Sequence, residues 1–118
     1  MPNPYGIPEI SVQEVANKRA SGQNFVLMDV REKNELLLAN LGEEVLWVPL
    51  SELAVKREKA LPADMTDLNE EIVVLCHTGV RSAQVTAWLR QLGWQNTSSM
   101  AGGIEAYALQ VDPAVGRY

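Results

Sequence analysis

The 118-residue sequence has only one cysteine, Cys76, and one histidine, His77, and these two shortages exclude several kinds of site. A single cysteine cannot form an internal disulfide, a CxxC redox pair or a cysteine-rich metal site. A single histidine excludes most zinc sites and any hydrolase triad that needs a histidine from a distant part of the chain. No GxSxG or GxxxxGK[ST] motif is present either. We therefore expect no bound metal and no cofactor.

Long apolar runs and an excess of positive charge are also absent. The longest apolar runs, at residues 36–39 and 72–76, are far shorter than the roughly 18 residues of a membrane span. Fifteen acidic residues outnumber ten basic ones, and the resulting net charge of −5 would repel nucleic-acid phosphates. Residues 1–6 have neither a basic segment nor an apolar stretch, so we predict no signal peptide. The expectation is a cytoplasmic protein without a membrane or nucleic-acid partner.

The composition is that of an ordinary globular domain. Hydrophobic residues make up 47% of the chain and charged residues 21%, which is enough apolar material for one core. We predict a single domain over residues 1–118, with its core at about 10–109. Asp112-Pro113 and Gly116 predict that residues 110–118 form a non-helical strap.

Predicted strands and helices alternate along the chain. The capping-box spacing from Ser11 predicts a helix through Ala20. Apolar and β-branched runs predict strands at 25–28, 45–48 and 71–76, with a more polar strand at 94–100. Further helices are predicted at 35–39, at 51–60 with Ser51 as its cap, at 82–92 and at 104–109. This alternation predicts an α/β domain with a parallel sheet.

Cys76 is the candidate nucleophile, because it ends the best-predicted strand directly before a tight turn at 77–80 and a helix. Ligands of parallel sheets bind beyond the carboxyl ends of the strands. Such a turn directs backbone N–H groups inward, the helix N-terminus adds about half a positive charge, and Arg81 adds a full one. These groups favour the thiolate and stabilise its anionic adducts. The alternative is a small buried apolar cysteine that ends a strand.

Residues 76–82, with the sequence Cys-His-Thr-Gly-Val-Arg-Ser, resemble the active loop of the rhodanese-like sulfurtransferases. Three further segments agree in order and spacing: Asp29-Val30-Arg31-Glu32 followed by Glu35, Trp47-Val48-Pro49-Leu50, and Met100-Ala101-Gly102-Gly103-Ile104. Residues 39–44 depart from the Gly-His-Ile-Pro-Gly-Ala segment that is usual in the family, and Tyr107 replaces a frequent Trp. The resemblance covers about residues 10–108.

The resemblance implies a five-stranded parallel sheet with helices on both faces. It also implies a sulfurtransferase that moves a sulfane sulfur from a donor such as thiosulfate to cyanide, a thiol or a protein acceptor through a Cys76 persulfide. Arg81 would attract the anionic donor, and the substrate-binding loop would consist of His77, Thr78, Gly79, Val80, Arg81 and Ser82. Asp29, Arg31 and Glu35 would support the loop; the alternative for these three is an exposed charge cluster at a strand end.

Three other functions share part of this pattern. A non-catalytic rhodanese-like module that binds a partner or senses redox state would have the same fold, because fold does not fix function. A phosphatase or arsenate reductase would also bind an anion, but the four residues between Cys76 and Arg81 leave little room for a tetrahedral oxyanion. A Cys–His hydrolase requires a convergent histidine, whereas the side chain of His77 is expected to diverge from Cys76 toward the mouth of the site.

Overall fold

The computed structural model describes residues 5–42 and 44–118, which contain a five-stranded parallel sheet. The strands are β1 (Glu9–Ile10), β2 (Val26–Asp29), β3 (Leu46–Trp47), β4 (Ile72–Leu75) and β5 (Thr97–Met100). The helices are α1 (Val12–Ala20), α2 (Lys33–Leu36), α3 (Leu50–Lys56), α4 (Val80–Leu92) and α5 (Gly103–Gln110). Short 3-10 turns follow at Arg57–Ala60 and Pro113–Val115. The strands lie in the order β1-β5-β4-β2-β3, and every neighbouring pair is parallel.

The central strand β4 is buried on both faces, which explains its continuous apolar sequence. Val73 and Leu75 pack in one cluster with residues of β1, α1 and α5. Ile72 and Val74 pack in a second cluster with residues of α3 and α4. Helices therefore cover both faces of the sheet, and the predicted α/β fold with five parallel strands is confirmed.

The short elements differ from the sequence predictions. The pattern does not predict β1, because two residues carry no periodicity; β1 exists through its pairing with β5, where Ile10 lies opposite Met100. α2 begins before the predicted segment and ends at Leu36. The Ser51 cap is wrong: α3 begins at Leu50 with Pro49 as its N-cap, and Ser51 Oγ instead donates to Glu32 Oε1 at 2.6 Å.

α4 begins at Val80, two residues before the predicted start. The shift places Arg81 and Ser82 in the first turn of the helix, beside Cys76. The predicted non-helical strap, residues 110–118, begins with the last residue of α5, Gln110, and contains a 3-10 turn at Pro113–Val115.

Three strands end at the same edge of the sheet. Asp29 lies opposite Leu75 in the β2–β4 register, so the residues after β2 and β4 are neighbours. Ile104, soon after the end of β5, donates its N–H to the carbonyl of Cys76 at 2.9 Å. The segments that follow β2, β4 and β5 therefore meet near Cys76.

Some sequence predictions concern residues 1–4 and Glu43, which lie outside the described residues. These are the start of the segment analysed for a signal peptide and one position of the 39–44 stretch. Within the described residues, no helix is long and apolar enough to cross a membrane.

Candidate active site

Cys76 directly follows β4, and its sulfur lies at the start of α4. Sγ accepts hydrogen bonds from the backbone N–H groups of Gly79 at 3.1 Å and Ser82 at 3.3 Å. The thiol also contacts Ser82 Oγ at 3.5 Å. Because Ser82 lies in the first turn of α4, its N–H has no acceptor within the helix. Two amide donors and the positive end of a 13-residue helix therefore face the sulfur, which favours negative charge there.

Gly79 gives the loop its shape. Its φ of +107° lies in the region that residues with a side chain rarely adopt. A Cβ at this position would lie 3.3 Å from the backbone nitrogen of Gly102, so the loop also packs closely against the turn before α5. A glycine at this point allows the chain to turn its N–H toward Cys76.

The start of α5 binds the other side of the loop. The N–H of Ile104 donates to the carbonyl of Cys76 at 2.9 Å, and the N–H of Glu105 donates to the carbonyl of His77 at 3.0 Å. These first-turn amides of α5 thus find acceptors outside their own helix. With its carbonyls held by α5, the loop keeps the opposite side of its backbone toward the sulfur.

The sulfur itself is buried, whereas the rest of the loop reaches the surface. Cys76 is only 1% exposed, Val80 is 64% exposed and Thr78 is also exposed. His77 and Arg81 are partly exposed. The surface at this site is therefore formed by the loop residues after Cys76 and hardly at all by Cys76 itself.

Arg81 does not present an unpaired charge. Its Nη1 and Nη2 donate to Glu35 Oε2 and Oε1 at 2.6 and 2.7 Å. The hydrogen bonds from Arg81 are the main cause that lowers the pKa of Glu35 to about 2, and pairing with Glu35 raises the pKa of Arg81. Arg81 therefore keeps the full positive charge expected from the sequence, but this charge is paired, because α2 brings a carboxylate to it from 46 residues away.

Asp29 and Arg31 form a buried ion pair at the end of β2. Asp29 is 3% exposed and Arg31 0%, and Arg31 Nη2 donates to Asp29 Oδ2 at 2.8 Å. Arg31 also donates to the backbone oxygens of Ala39, at 2.8 Å, and Glu35. For this pair the alternative of an exposed charge cluster is wrong. Arg31 instead connects the ends of β2 and α2 with the 39–44 stretch that departs from the family pattern.

Sequence reasoning misses two residues of this site, Ser99 and Tyr118. Ser99 Oγ on β5 lies 2.7 Å from Ser82 Oγ. The Tyr118 ring stacks on His77 with centroids 3.9 Å apart, and its hydroxyl donates to Glu35 Oε1 at 2.7 Å. Local sequence patterns do not indicate contacts between the strap and residues so distant in the sequence. His77 lies at the surface of the site, as the turn geometry predicts, with Tyr118 against its ring.

Among residues 5–42 and 44–118, no three His, Cys, Asp or Glu side chains are grouped as metal ligands would be. The residues gathered here are instead a thiol, backbone donors and ion pairs. Such a set is suited to nucleophilic chemistry at sulfur with an anionic partner.

The chain is similar to several known proteins. The family model described as "Rhodanese-like domain" matches residues 11–110. The Rhodanese-like/PpiC domain-containing protein 12, chloroplastic, of Arabidopsis thaliana is 36% identical over 118 residues. That match covers 95% of this chain but 38% of the plant protein, so the chain spans about two fifths of this relative.

Two further similar proteins have nearly the same length as this chain. A protein named "Sulfurtransferase" from Allochromatium vinosum is 26% identical over 109 residues, which cover 92% of this chain and 95% of that protein. The solved structure of the human single-domain sulfurtransferase TSTD1 matches with a TM-score of 0.70 and 27% identity, covering 89% of this chain and 98% of the human one.

Proposed function

Because the chain belongs to the rhodanese-like domain family, we propose that it is a sulfurtransferase in which Cys76 carries the transferred sulfur as a persulfide. The observation that carries the proposal is the pair of N–H donors, from Gly79 and Ser82, directed at Sγ. The similar proteins named as sulfurtransferases support sulfur transfer in general. The identity of donor and acceptor is part of the proposal.

Thiosulfate is the donor that we propose. The Cys76 thiolate attacks the outer sulfur of thiosulfate, a new S–S bond forms, and sulfite leaves with the electron pair of the broken S–S bond. Cyanide, a small thiolate or a protein thiolate then attacks the outer sulfur of the persulfide, and Cys76 leaves as a thiolate. Both steps are displacements at sulfur, so they need no external oxidant or reductant.

The loop residues divide this work between them. The N–H groups of Gly79 and Ser82 would stabilise the thiolate that attacks in the first step and leaves in the second. His77, Thr78 and Val80 would surround the outer sulfur, and the partly exposed Arg81 would attract the donor. The buried Asp29–Arg31 pair and Glu35 would hold the loop in place without touching the substrate.

The acceptor must come from outside the chain. Cys76 is the only cysteine, so no second thiol can resolve the persulfide internally. A persulfide formed without acceptor should therefore persist. A reducing compartment would keep the thiol free, and a cytoplasmic location stays a prediction.

Mass spectrometry of the intact protein after thiosulfate treatment tests the proposal. We expect the wild type to gain one sulfur atom that cyanide removes, and Cys76→Ser to gain none. Because no other thiol is present, every cyanide-sensitive sulfur on the wild type reports on Cys76. The proposal fails if thiosulfate, mercaptopyruvate and a protein persulfide all leave the wild-type thiol unmodified.

Two observations favour the second candidate, a non-catalytic module that binds a partner or senses redox state. Cys76 is 1% exposed and Arg81 is paired with Glu35, so a closed site would serve binding without turnover. The same experiment separates the two functions, since a binding module would acquire no persulfide from any of the three donors.

A further inference from the structure

Tyr118 connects three separate parts of the site. Its hydroxyl donates to Glu35 Oε1 at 2.7 Å and accepts from Arg31 Nη1 at 3.2 Å. Its ring stacks on His77, the residue after Cys76, and its backbone oxygen lies 3.0 Å from His77 Nε2. A side chain from the strap thus contacts the end of β2, α2 and the sulfur-holding loop at once.

The contact with Glu35 bears directly on the charge beside Cys76. Glu35 Oε1 accepts from both Tyr118 and Arg81, while Oε2 accepts from Arg81 and from the N–H of Glu32. Each donor other than Arg81 takes up part of the negative charge of the carboxylate. The hydrogen bonds from Tyr118 and from the N–H of Glu32 therefore reduce the extent to which Glu35 neutralises the guanidinium of Arg81.

Stacking on His77 keeps the tyrosine in this position. Tyr118 is 36% exposed, so burial alone would not hold its ring. The near-parallel rings, at 13°, and the contact of His77 with the Tyr118 backbone hold the residue against the loop from two directions. The hydroxyl is thereby kept within reach of both Glu35 and Arg31.

We infer that Tyr118 is a positioning residue that acts through Glu35 to leave Arg81 available to an anion approaching Cys76. Without the hydroxyl, the carboxylate of Glu35 neutralises Arg81 more fully, and the site attracts anions less. The identification of that anion as thiosulfate rests on the proposed function. The electrostatic role of Tyr118 can be measured without it.

Alkylation of Cys76 by iodoacetate, which is anionic, and by iodoacetamide, which is neutral, tests the inference. The ratio of the two rate constants reports the attraction of the loop for an anion and needs no sulfur transfer. Tyr118→Phe keeps the ring and removes the hydroxyl, so we expect the ratio to fall roughly threefold or more. In steady-state assays the KM for thiosulfate should rise by a similar factor, with kcat changed by less than about twofold.

Tyr107→Phe is the matched control. The hydroxyl of Tyr107 accepts from Arg19 Nη1 at 3.2 Å, and among the described residues it has no hydrogen bond to the loop. We expect this variant to keep the wild-type alkylation ratio and KM even if its melting temperature falls. If the role of Tyr118 were purely structural, the alkylation ratio of each of the two variants would change in step with its melting temperature.

Two results would overturn the inference: an unchanged ratio in Tyr118→Phe, or an equal fall in Tyr107→Phe. A lower ratio in Tyr118→Phe supports it even if no donor gives a persulfide. In that case the proposed function fails while the positioning role of Tyr118 stands.

Discussion

The substitution Gly103→Ala, which adds one methyl group, tests whether α5 supports the loop that holds Cys76. Gly103 begins α5 with a φ of +62°. A Cβ there would lie 2.4 Å from the carbonyl oxygen of His77 and 2.5 Å from that of Cys76. Because these neighbours are backbone atoms, no rotation of a side chain can relieve the contact. In Gly103→Ala either the loop or α5 must move.

Three contributions set the expected loss in free energy of unfolding. The positive φ costs about 1–2 kcal/mol for a residue with a side chain. Overpacking against a well-packed backbone adds about 1–3 kcal/mol. Weakening the hydrogen bonds from Ile104 and Glu105 to the loop carbonyls adds about 0.5–1.5 kcal/mol each. We expect a total of about 3 kcal/mol or more, a large part of the roughly 5–15 kcal/mol of a typical domain.

Gly22→Ala is the matched control for the backbone strain. Gly22 has a φ of +72°, close to that of Gly103, but a Cβ there would meet nothing within 4 Å. This variant should therefore lose only the strain contribution, about 1–2 kcal/mol. The difference between the two alanine variants isolates the contact between α5 and the loop.

Urea unfolding at 25 °C measures both losses, and the alkylation rate of Cys76 with iodoacetamide reports on the loop. We expect Gly103→Ala to exceed Gly22→Ala in lost stability and to change the reactivity of Cys76, with Gly22→Ala leaving that reactivity at the wild-type value. The reasoning is refuted if the two variants lose stability equally to within about 0.5 kcal/mol. It is also refuted if Gly103→Ala leaves the thiol reactivity unchanged.

Two further predictions concern the partners of the loop. Ser82→Ala leaves the buried Ser99 hydroxyl without its partner and should cost about 1–3 kcal/mol in free energy of unfolding. The double variant Ser82→Ala/Ser99→Ala should recover most of this loss. A urea titration measures both variants, and a double variant as unstable as the single one would contradict the prediction. The pKa of Glu35 is about 2 in the fold against an ordinary 4.5, so its stabilisation is present above about pH 4.5 and is lost as the pH falls toward 2. Glu35→Gln should therefore be less stable than the wild type at pH 7, and the free energies of unfolding of the two proteins should converge near pH 2. A constant difference between them from pH 7 to pH 2 would show that the ionised pair with Arg81 does not provide this stability.

Sequence patterns correctly predict the features of this protein that depend on neighbouring residues. The run Ile72-Val73-Val74-Leu75 predicts a strand buried on both faces, since every side chain in it is apolar. Ser11 and Glu14 predict the start of α1, where the Ser11 side chain accepts from the Glu14 N–H. The position of Cys76 between a strand and a helix follows from the same local patterns, as does the turn that brings N–H groups to its sulfur.

The features that sequence patterns do not predict depend on contacts between distant segments. β1 is a strand only because β5 lies beside it, and its two residues have no pattern of their own. Arg81 has the same local sequence whether it is free or paired, and only folding shows that Glu35, 46 residues earlier, neutralises part of its charge. Tyr118 reaches Glu35 across 83 residues. Hydrophobic periodicity and turn chemistry act over a few residues, whereas the charge around the sulfur is set by which segments meet at one edge of the sheet.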